Sequence, residues 1–265
     1  MSPLLRSSTG KIHICGHRGH STGAPENTLA AFRAARALGG TTCETDLVLS
    51  ADGELVLVHD ETVDRTSDGK GLVSKMKLAQ LKELDAGSWF SAEFAGERVP
   101  TLREALVLAR EIGLTLQVEL KIQGRDDELF PKTAALLDEL DAHDLVTFSS
   151  FDFKQLRDIK LEIPKVPTVG ITHSRLIDPV SIAREALMDA VSIEWPQFPA
   201  GDAIRLHENG IAAHLVVPRP NMFARHAVYG EDLEKRLQEW IATGQVDQVL
   251  GDDVGFVSRV VSGHS

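Results

Sequence analysis

Disulfide cross-linking cannot organise this chain, because only 2 cysteines occur in its 265 residues, too few for a framework. By strand alternation Cys15 shares a face with His17 while Cys43 lies opposite Glu44, so the two read as small buried hydrophobes rather than partners in a bond. Long apolar runs are missing too. No stretch approaches the roughly 18 residues of a membrane span, and the opening MSPLLRSSTGK has no apolar core of the kind that directs export. The expectation is a soluble, cytoplasmic protein without stable membrane association. Nor is there a basic excess: 28 Lys and Arg stand against 39 Asp and Glu, a net charge of -11. That balance argues against a nucleic-acid surface, since phosphate backbones are held by clustered cations. Any anionic ligand must then be small and met locally. With 43% hydrophobic residues, the chain can bury one full core, and residues 1–265 are read as a single α/β barrel domain.

Short β-rich runs alternate with longer segments of helical period, the order expected of parallel strands joined by crossover helices. The strand-like runs are Ile12–His17, Thr42–Val48, Thr115–Lys121, Leu145–Ser150, Val166–Ile171, Ala190–Trp195, Ile211–Val217 and Val246–Leu250. Helical segments fall between them at Thr28–Leu38, Leu102–Glu111, Asp127–Asp141, Phe153–Lys160, Pro179–Leu187, Ala203–Glu208 and Glu231–Thr243, with a last one at Val257–Val261. Thr101 followed by Glu104 is a capping-box pattern, in which hydroxyl and carboxylate each satisfy a free amide at a helix start. The expected fold is therefore a (β/α)8 TIM barrel. One interval breaks the rhythm. Ala51-Asp52-Gly53 is a turn, Glu54–Val58 alternates as a further strand, and an irregular stretch follows, so a β-hairpin plus an insertion at about 61–100 is expected after the second strand. Trp89, Phe90 and Phe94 indicate that this insertion packs as a small lobe.

In such barrels the chemistry sits at the C-terminal ends of the strands, so polar residues that close an apolar run are the ones to inspect. The first run leads into His17-Arg18-Gly19, the second closes with Glu44 and Asp46, and the third with Glu119 and Lys121. Period-two alternation puts Glu44 and Asp46 on one face, and likewise Glu119 and Lys121, so acids from neighbouring strands can converge. Three converging carboxylates would repel one another without a cation. An oxygen-only ligand set suits one divalent cation, Mg²⁺ or Ca²⁺, better than Zn²⁺. His17 and His59 each leave a β-run and are each followed by a charged residue. With an unperturbed pKa near 6.5, imidazole can deprotonate a nucleophile on one side of a phosphorus and protonate the leaving oxygen on the other. Arg18 offers a planar fork of donors for phosphate and Lys121 a point charge. Among the other histidines, His13, His20, His143, His207, His226 and His264 are read as solvated or hydrogen-bonded side chains.

These segments resemble the glycerophosphodiester phosphodiesterases, a TIM-barrel family. The resemblance rests on Gly16-His17-Arg18-Gly19, Pro25-Glu26-Asn27-Thr28, Glu44-Thr45-Asp46, Asp52-Gly53, Val58-His59-Asp60, Arg65-Thr66, Pro100-Thr101-Leu102 and Glu119-Leu120-Lys121, in order over about the first half of the chain. It implies that His17 and His59 are acid and base, that Glu44, Asp46 and Glu119 ligate the cation, and that Arg18 and Lys121 hold the phosphate of a small phosphodiester substrate. The second half matches the family less well, although Phe148-Ser149-Ser150-Phe151 fits the family's fourth strand. Its seventh barrel strand usually ends in a Trp-Thr-Val-Asn type sequence and here reads Ala213-His214-Leu215-Val216-Val217-Pro218-Arg219-Pro220-Asn221. Glu194, His214, Arg219 and Asn221 thereby become candidates for contacting the alcohol or sugar portion of the substrate. A noncatalytic phosphate-ester binding protein and a lipid-directed phospholipase of related barrel design are the competing readings.

Overall fold

A β-strand that alternates polar and apolar residues while buried on both sides must face two different interiors, and the second strand of this chain does so. The computed structural model describes residues 3–198 and 201–263; His264, grouped above with the solvated histidines, lies outside the described residues. Its strands are β1 (His13–Gly16), β2 (Thr42–Leu49), β3 (Leu55–Leu57), β4 (Thr115–Leu120), β5 (Val146–Ser150), β6 (Thr168–Thr172), β7 (Ala190–Glu194), β8 (Ala212–Val216) and β9 (Gln248–Gly251). Parallel pairing runs β1-β9-β8-β7-β6-β5-β4-β2, and a further β1–β2 pairing closes the circle, so eight parallel strands form the barrel. β3 runs antiparallel on the far end of β2, with Val48 opposite Val56; this is the hairpin read from the sequence.

Every residue of β2 is buried. Cys43, Leu47 and Leu49 join the apolar layer between sheet and helices together with Leu102, Leu106, Leu116 and Leu120. The alternate residues Glu44 and Asp46 turn into the barrel. The interior is correspondingly polar: Gln117 of β4 and Gln248 of β9, not neighbours in the sheet, meet across it at 2.8 Å. Both cysteines are free and buried.

The Thr101/Glu104 capping box forms as expected: the Glu104 amide donates to Thr101 Oγ1 (3.2 Å) and the Thr101 amide to Glu104 Oε2 (2.8 Å) at the head of helix Leu102–Ile112. The insertion packs as a lobe with its own core of Val48, Val56, Val58, Val63, Val73, Leu81, Ala86 and Val99. Trp89, Phe90 and Phe94 stack edge to face, each successive pair of ring centres 5.7 Å apart. Asp85 ties its loops by accepting from the amides of Gly87, Ser88 and Gly96.

Three α-helices among the described residues went unread in the sequence. Helix Arg6–Thr9 precedes the barrel, helix Leu78–Glu83 lies in the insertion, and helix Pro220–Ala227 follows β8. The last begins with proline at its first position, where a missing N–H leaves nothing unpaired; the Val217–Asn221 stretch is thus a turn into a helix rather than an extension of the strand. No helix among the described residues is long and apolar enough to cross a membrane.

At the opposite end of the barrel from the polar strand ends of β2 and β4, Asp247 joins three elements. It accepts from the Arg6 and Ala213 amides and from His207 Nε2, each at 2.7 Å. Burial alone would raise its pKa, but these donors hold it below the ordinary 3.8. Asp247→Ala leaves the buried Ala213 N–H unpaired and should lower unfolding free energy by about 2–3 kcal/mol, read by urea denaturation. Because the folded pKa is depressed, the stabilisation is present above 3.8 and is lost as pH falls through the folded value. The wild-type advantage over Asp247→Asn should therefore shrink in acid.

Candidate active site

Three strand ends and two loops build the site. β2 and β4 are in register with Asp46 opposite Glu119, and Glu44 lies two residues back on the same face. One oxygen from each of Glu44, Asp46 and Glu119 lies within 4.8 Å of the others, and all three residues are buried. Two cations face them. Lys121 Nζ lies 2.8 Å from Asp46 Oδ1 and 2.6 Å from Glu119 Oε1. Arg18 Nε lies 3.3 Å from Asp46 Oδ2, and the Arg18 backbone amide donates to Glu44 Oε2 at 3.0 Å. Glu44 Oε1 is buried with no hydrogen-bond partner among the described residues. Burial, reinforced by Asp46 beside it, pushes the Glu44 carboxyl up to about 8. Burial works the same way on Asp46, but Lys121 and Arg18 prevail and hold it below the usual carboxylate range.

The turn that carries His17 and Arg18 depends on its flanking glycines. A Cβ on Gly16 would sit 2.6 Å from the Gly19 carbonyl oxygen, and Gly19 has φ +85°. Arg18 itself adopts φ 57°, a left-handed conformation that non-glycine residues take up sparingly and that clusters at functional sites. Here it aims the Arg18 amide at Glu44. Asn27 also has φ 57°. Its Nδ2 donates to Asp46 Oδ2 (2.7 Å), while its Oδ1 accepts from Thr45 Oγ1 (2.7 Å) and the Asp46 amide (3.2 Å), so one side chain fixes both backbone and carboxylate of Asp46.

Each histidine has a carboxylate behind it. His17 Nδ1 donates to Asp252 Oδ1 at 2.6 Å, and its Nε2 lies 3.9 Å from Glu44 Oε2. Burial opposes a charge on His17, but Asp252 and Glu44 together raise its pKa. His59 Nδ1 donates to Asp60 Oδ1 at 2.6 Å. In both rings Nδ1 is engaged and Nε2 is left as the nitrogen for chemistry.

The sequence-derived candidates divide cleanly. His17, Arg18, Glu44, Asp46, Glu119 and Lys121 converge, with His59 close enough to act electrostatically on Asp46. His214 does not join them: it is buried inside the barrel, 3.2 Å from Gln248, and desolvation pushes its pKa down to about 4. Since Gln248 pairs with His13 at the start of β1, His214 belongs to the lower interior and its selection as a substrate contact is corrected. Arg219 reaches the mouth through Asp252, with Nε 3.0 Å from Oδ2. Glu194 ends β7 and lies 3.2 Å from His173 Nδ1. Asn221 sits in the helix after β8. Asp252 was missed, although it closes the apolar run of β9 and satisfies the same criterion that found Glu44 and Glu119.

The profile of the glycerophosphoryl diester phosphodiesterase family matches residues 17–254. A glycerophosphodiester phosphodiesterase of Caldanaerobacter subterraneus subsp. tengcongensis is 38% identical over 187 residues, covering 69% of this chain and 75% of that protein. Among solved structures, an Oleispira antarctica phosphodiesterase in complex with the product sn-glycerol-3-phosphate superposes with a TM-score of 0.83 at 27% identity, over 97% of this chain and 99% of that one. A glycerophosphodiester phosphodiesterase from Agrobacterium tumefaciens gives 0.77 at 28% identity, over 93% and 99%.

Asn27→Ala removes three hydrogen bonds around Asp46 and leaves a left-handed backbone without the side chain that holds it. It should lower unfolding free energy by about 2–4 kcal/mol in equilibrium denaturation, and an unchanged midpoint would refute the role given to Asn27.

Proposed function

The chain belongs to the glycerophosphoryl diester phosphodiesterase family and is a phosphoric diester hydrolase, and from that premise we propose that it cleaves a small glycerol- or sugar-linked phosphodiester into a phosphomonoester and an alcohol by paired histidine acid-base catalysis beside one divalent cation. The observation that carries this reading is the pairing of two carboxylate-backed imidazoles, His17–Asp252 and His59–Asp60, around a buried acid trio. The Oleispira enzyme's product is sn-glycerol-3-phosphate, which favours a substrate that releases the same phosphomonoester here.

The trio fits a hard cation. Its donors are all carboxylate oxygens, they converge on one point, and the buried Glu44 Oε1 lacks a protein partner among the described residues. Glu44, Asp46 and Glu119 would hold Mg²⁺ or Ca²⁺, and such an ion supplies charge stabilisation at a phosphoryl oxygen. The protein's own groups do the rest. Arg18 and Lys121 bind the nonbridging oxygens and neutralise the charge that builds on them. One imidazole Nε2 takes the proton of the attacking oxygen as the new P–O bond forms, and the other protonates the departing alkoxide as the old P–O bond breaks. His17 and His59 fill these two roles.

Dialysis against a chelator should abolish turnover of glycerophosphodiesters, and Mg²⁺ or Ca²⁺ should restore it. The same cations should raise the melting temperature of the wild type and leave that of Glu44→Gln unmoved. His17→Ala and His59→Ala should each lose about 10²–10⁴-fold in kcat with native circular dichroism. Full turnover in either variant would overturn the assignment.

A further inference from the structure

Two of the sequence segments, Pro25-Glu26-Asn27-Thr28 and Arg65-Thr66, contain charged residues to which the chemistry above gives no task. Glu26 and Arg65 turn out to be partners. Arg65 Nη1 donates to Glu26 Oε2 (2.6 Å) and Nη2 to Glu26 Oε1 (2.8 Å). The other edge of the same guanidinium grips Asp60, Nε to Oδ2 at 2.7 Å and Nη2 to Oδ1 at 3.0 Å. Each of these carboxylates then reaches a residue of the site. Glu26 Oε1 accepts from Arg18 Nη1 at 2.9 Å, and Asp60 Oδ1 accepts from His59 Nδ1 at 2.6 Å. A continuous chain thus runs His59–Asp60–Arg65–Glu26–Arg18.

A planar, five-donor guanidinium is the one side chain that can hold two carboxylates edge-on at once. A bidentate grip fixes the plane of each carboxylate, so it fixes the direction in which Asp60 Oδ1 meets His59 and Glu26 Oε1 meets Arg18. Arg65 itself is 44% exposed and belongs to none of the apolar clusters. Its backbone is anchored next door, where Val63 is buried in the lobe core, the Val63 amide donates to the Gly71 carbonyl (3.0 Å) and Ser67 Oγ donates to the Val63 carbonyl (2.8 Å). The insertion therefore delivers one charged side chain, on a rigid stem, to the back of the site.

We propose that Arg65 is a positioning residue that couples the proton-transfer group His59 to the phosphate-binding group Arg18, and that this coupling is a function of the insertion lobe. The inference rests on the roles given to His59 and Arg18 above. It separates from a purely structural role because the two arms act on different kinetic constants. Loss of the Asp60 arm misplaces an acid-base group and should appear in kcat; loss of the Glu26 arm loosens a phosphate ligand and should appear in KM.

Steady-state kinetics on the cation-loaded enzyme, with a glycerophosphodiester as substrate, tests this. Asp60→Asn should lower kcat about 10–100-fold with KM within about twofold, and Glu26→Gln should raise KM about 5–20-fold with a smaller effect on kcat. Arg65→Ala should show both defects. Arg65→Lys should remain within about threefold of Arg65→Ala, because a single ammonium cannot grip two carboxylates. Arg65→Ala/Asp60→Asn should fall no more than about threefold below Asp60→Asn alone in kcat, since both remove one connection. Wild-type kinetics in Arg65→Ala, full rescue by lysine, a double variant whose losses multiply, or activity lost only in step with the melting temperature would each overturn the proposal. His59→Ala and Arg18→Ala serve as references. Full activity in those two would sink the underlying reading, whereas impairment in those two with an unaffected Arg65→Ala would sink this inference alone.

Discussion

Everything at the mouth of this barrel follows from burying three carboxylates at one point. Parallel register sets Asp46 against Glu119 and puts Glu44 one pleat away, and no side-chain rearrangement within that register can spread them far apart. Two unit charges about 5 Å apart repel by about 3–4 kcal/mol at an effective dielectric near 20, so the surrounding groups have to be donors and cations. They are: Lys121, the Arg18 side chain and amide, and Asn27 Nδ2 all point at this trio. The upward shift of Glu44 and the downward shift of Asp46 express one imbalance, since Asp46 receives both cations and Glu44 neither at close range.

Around that centre the labour is divided by element type. The barrel wall supplies the acids and Lys121, whose positions are fixed by sheet hydrogen bonds. Loops supply the remaining basic groups, His17 and Arg18 from the turn after β1 and His59 from the turn after β3. Loops are less constrained than strands, and each of these groups is accordingly tied by a charged partner, Asp252 for His17, Asp60 for His59 and Glu26 for Arg18. The ties differ in reach: Asp60 adjoins His59 and Glu26 lies 8 residues from Arg18, whereas Asp252 lies 235 residues from His17. The first loop is therefore held from the far end of the chain, and the second reaches beyond its own neighbourhood through the Arg65–Glu26 pair.

The strands were legible because a barrel strand writes its environment residue by residue: Thr42, Glu44 and Asp46 alternate with Cys43, Thr45 and Leu47, and the period is 2 whichever side is read. The convergence of the acids followed from the same alternation. The short helices Leu78–Glu83 and Pro220–Ala227 were not legible, for neither buries a recurring apolar stripe: Leu81 is the buried residue of the first, and Phe223 of the second is only partly buried. The partners of the histidines were hidden for a different reason. An aspartate that orients an imidazole looks like any other polar loop residue until the fold brings them together, and only its place at the end of an apolar run, as with Asp252, gives it away. His214 misled in the opposite sense, because a polar residue in a strand of this barrel can satisfy the interior, with Gln248, Gln117 and His13 as company, as readily as the mouth.

The backbone at Arg18 and Asn27 shows what the constraint costs. A left-handed conformation at a non-glycine residue is unfavourable by roughly 1–2 kcal/mol, and two such residues lie nine positions apart, joined by a hydrogen bond from the Asn27 amide to the Arg18 carbonyl (3.0 Å). Relaxing either to an ordinary helical or extended conformation would swing the chain away from the acids. The strain at Arg18 puts its amide on Glu44 and its guanidinium between Asp46 and Glu26; the strain at Asn27 puts three hydrogen bonds on Asp46 and its neighbour. The bonds among these that involve ionised groups, Arg18 Nη1 to Glu26 and Asn27 Nδ2 to Asp46, contribute about 1.5–3 kcal/mol each, enough to outweigh both conformations. Carboxylate burial and loop strain are therefore one device: the acids make the donors necessary, and the strained turn is what brings the donors within reach.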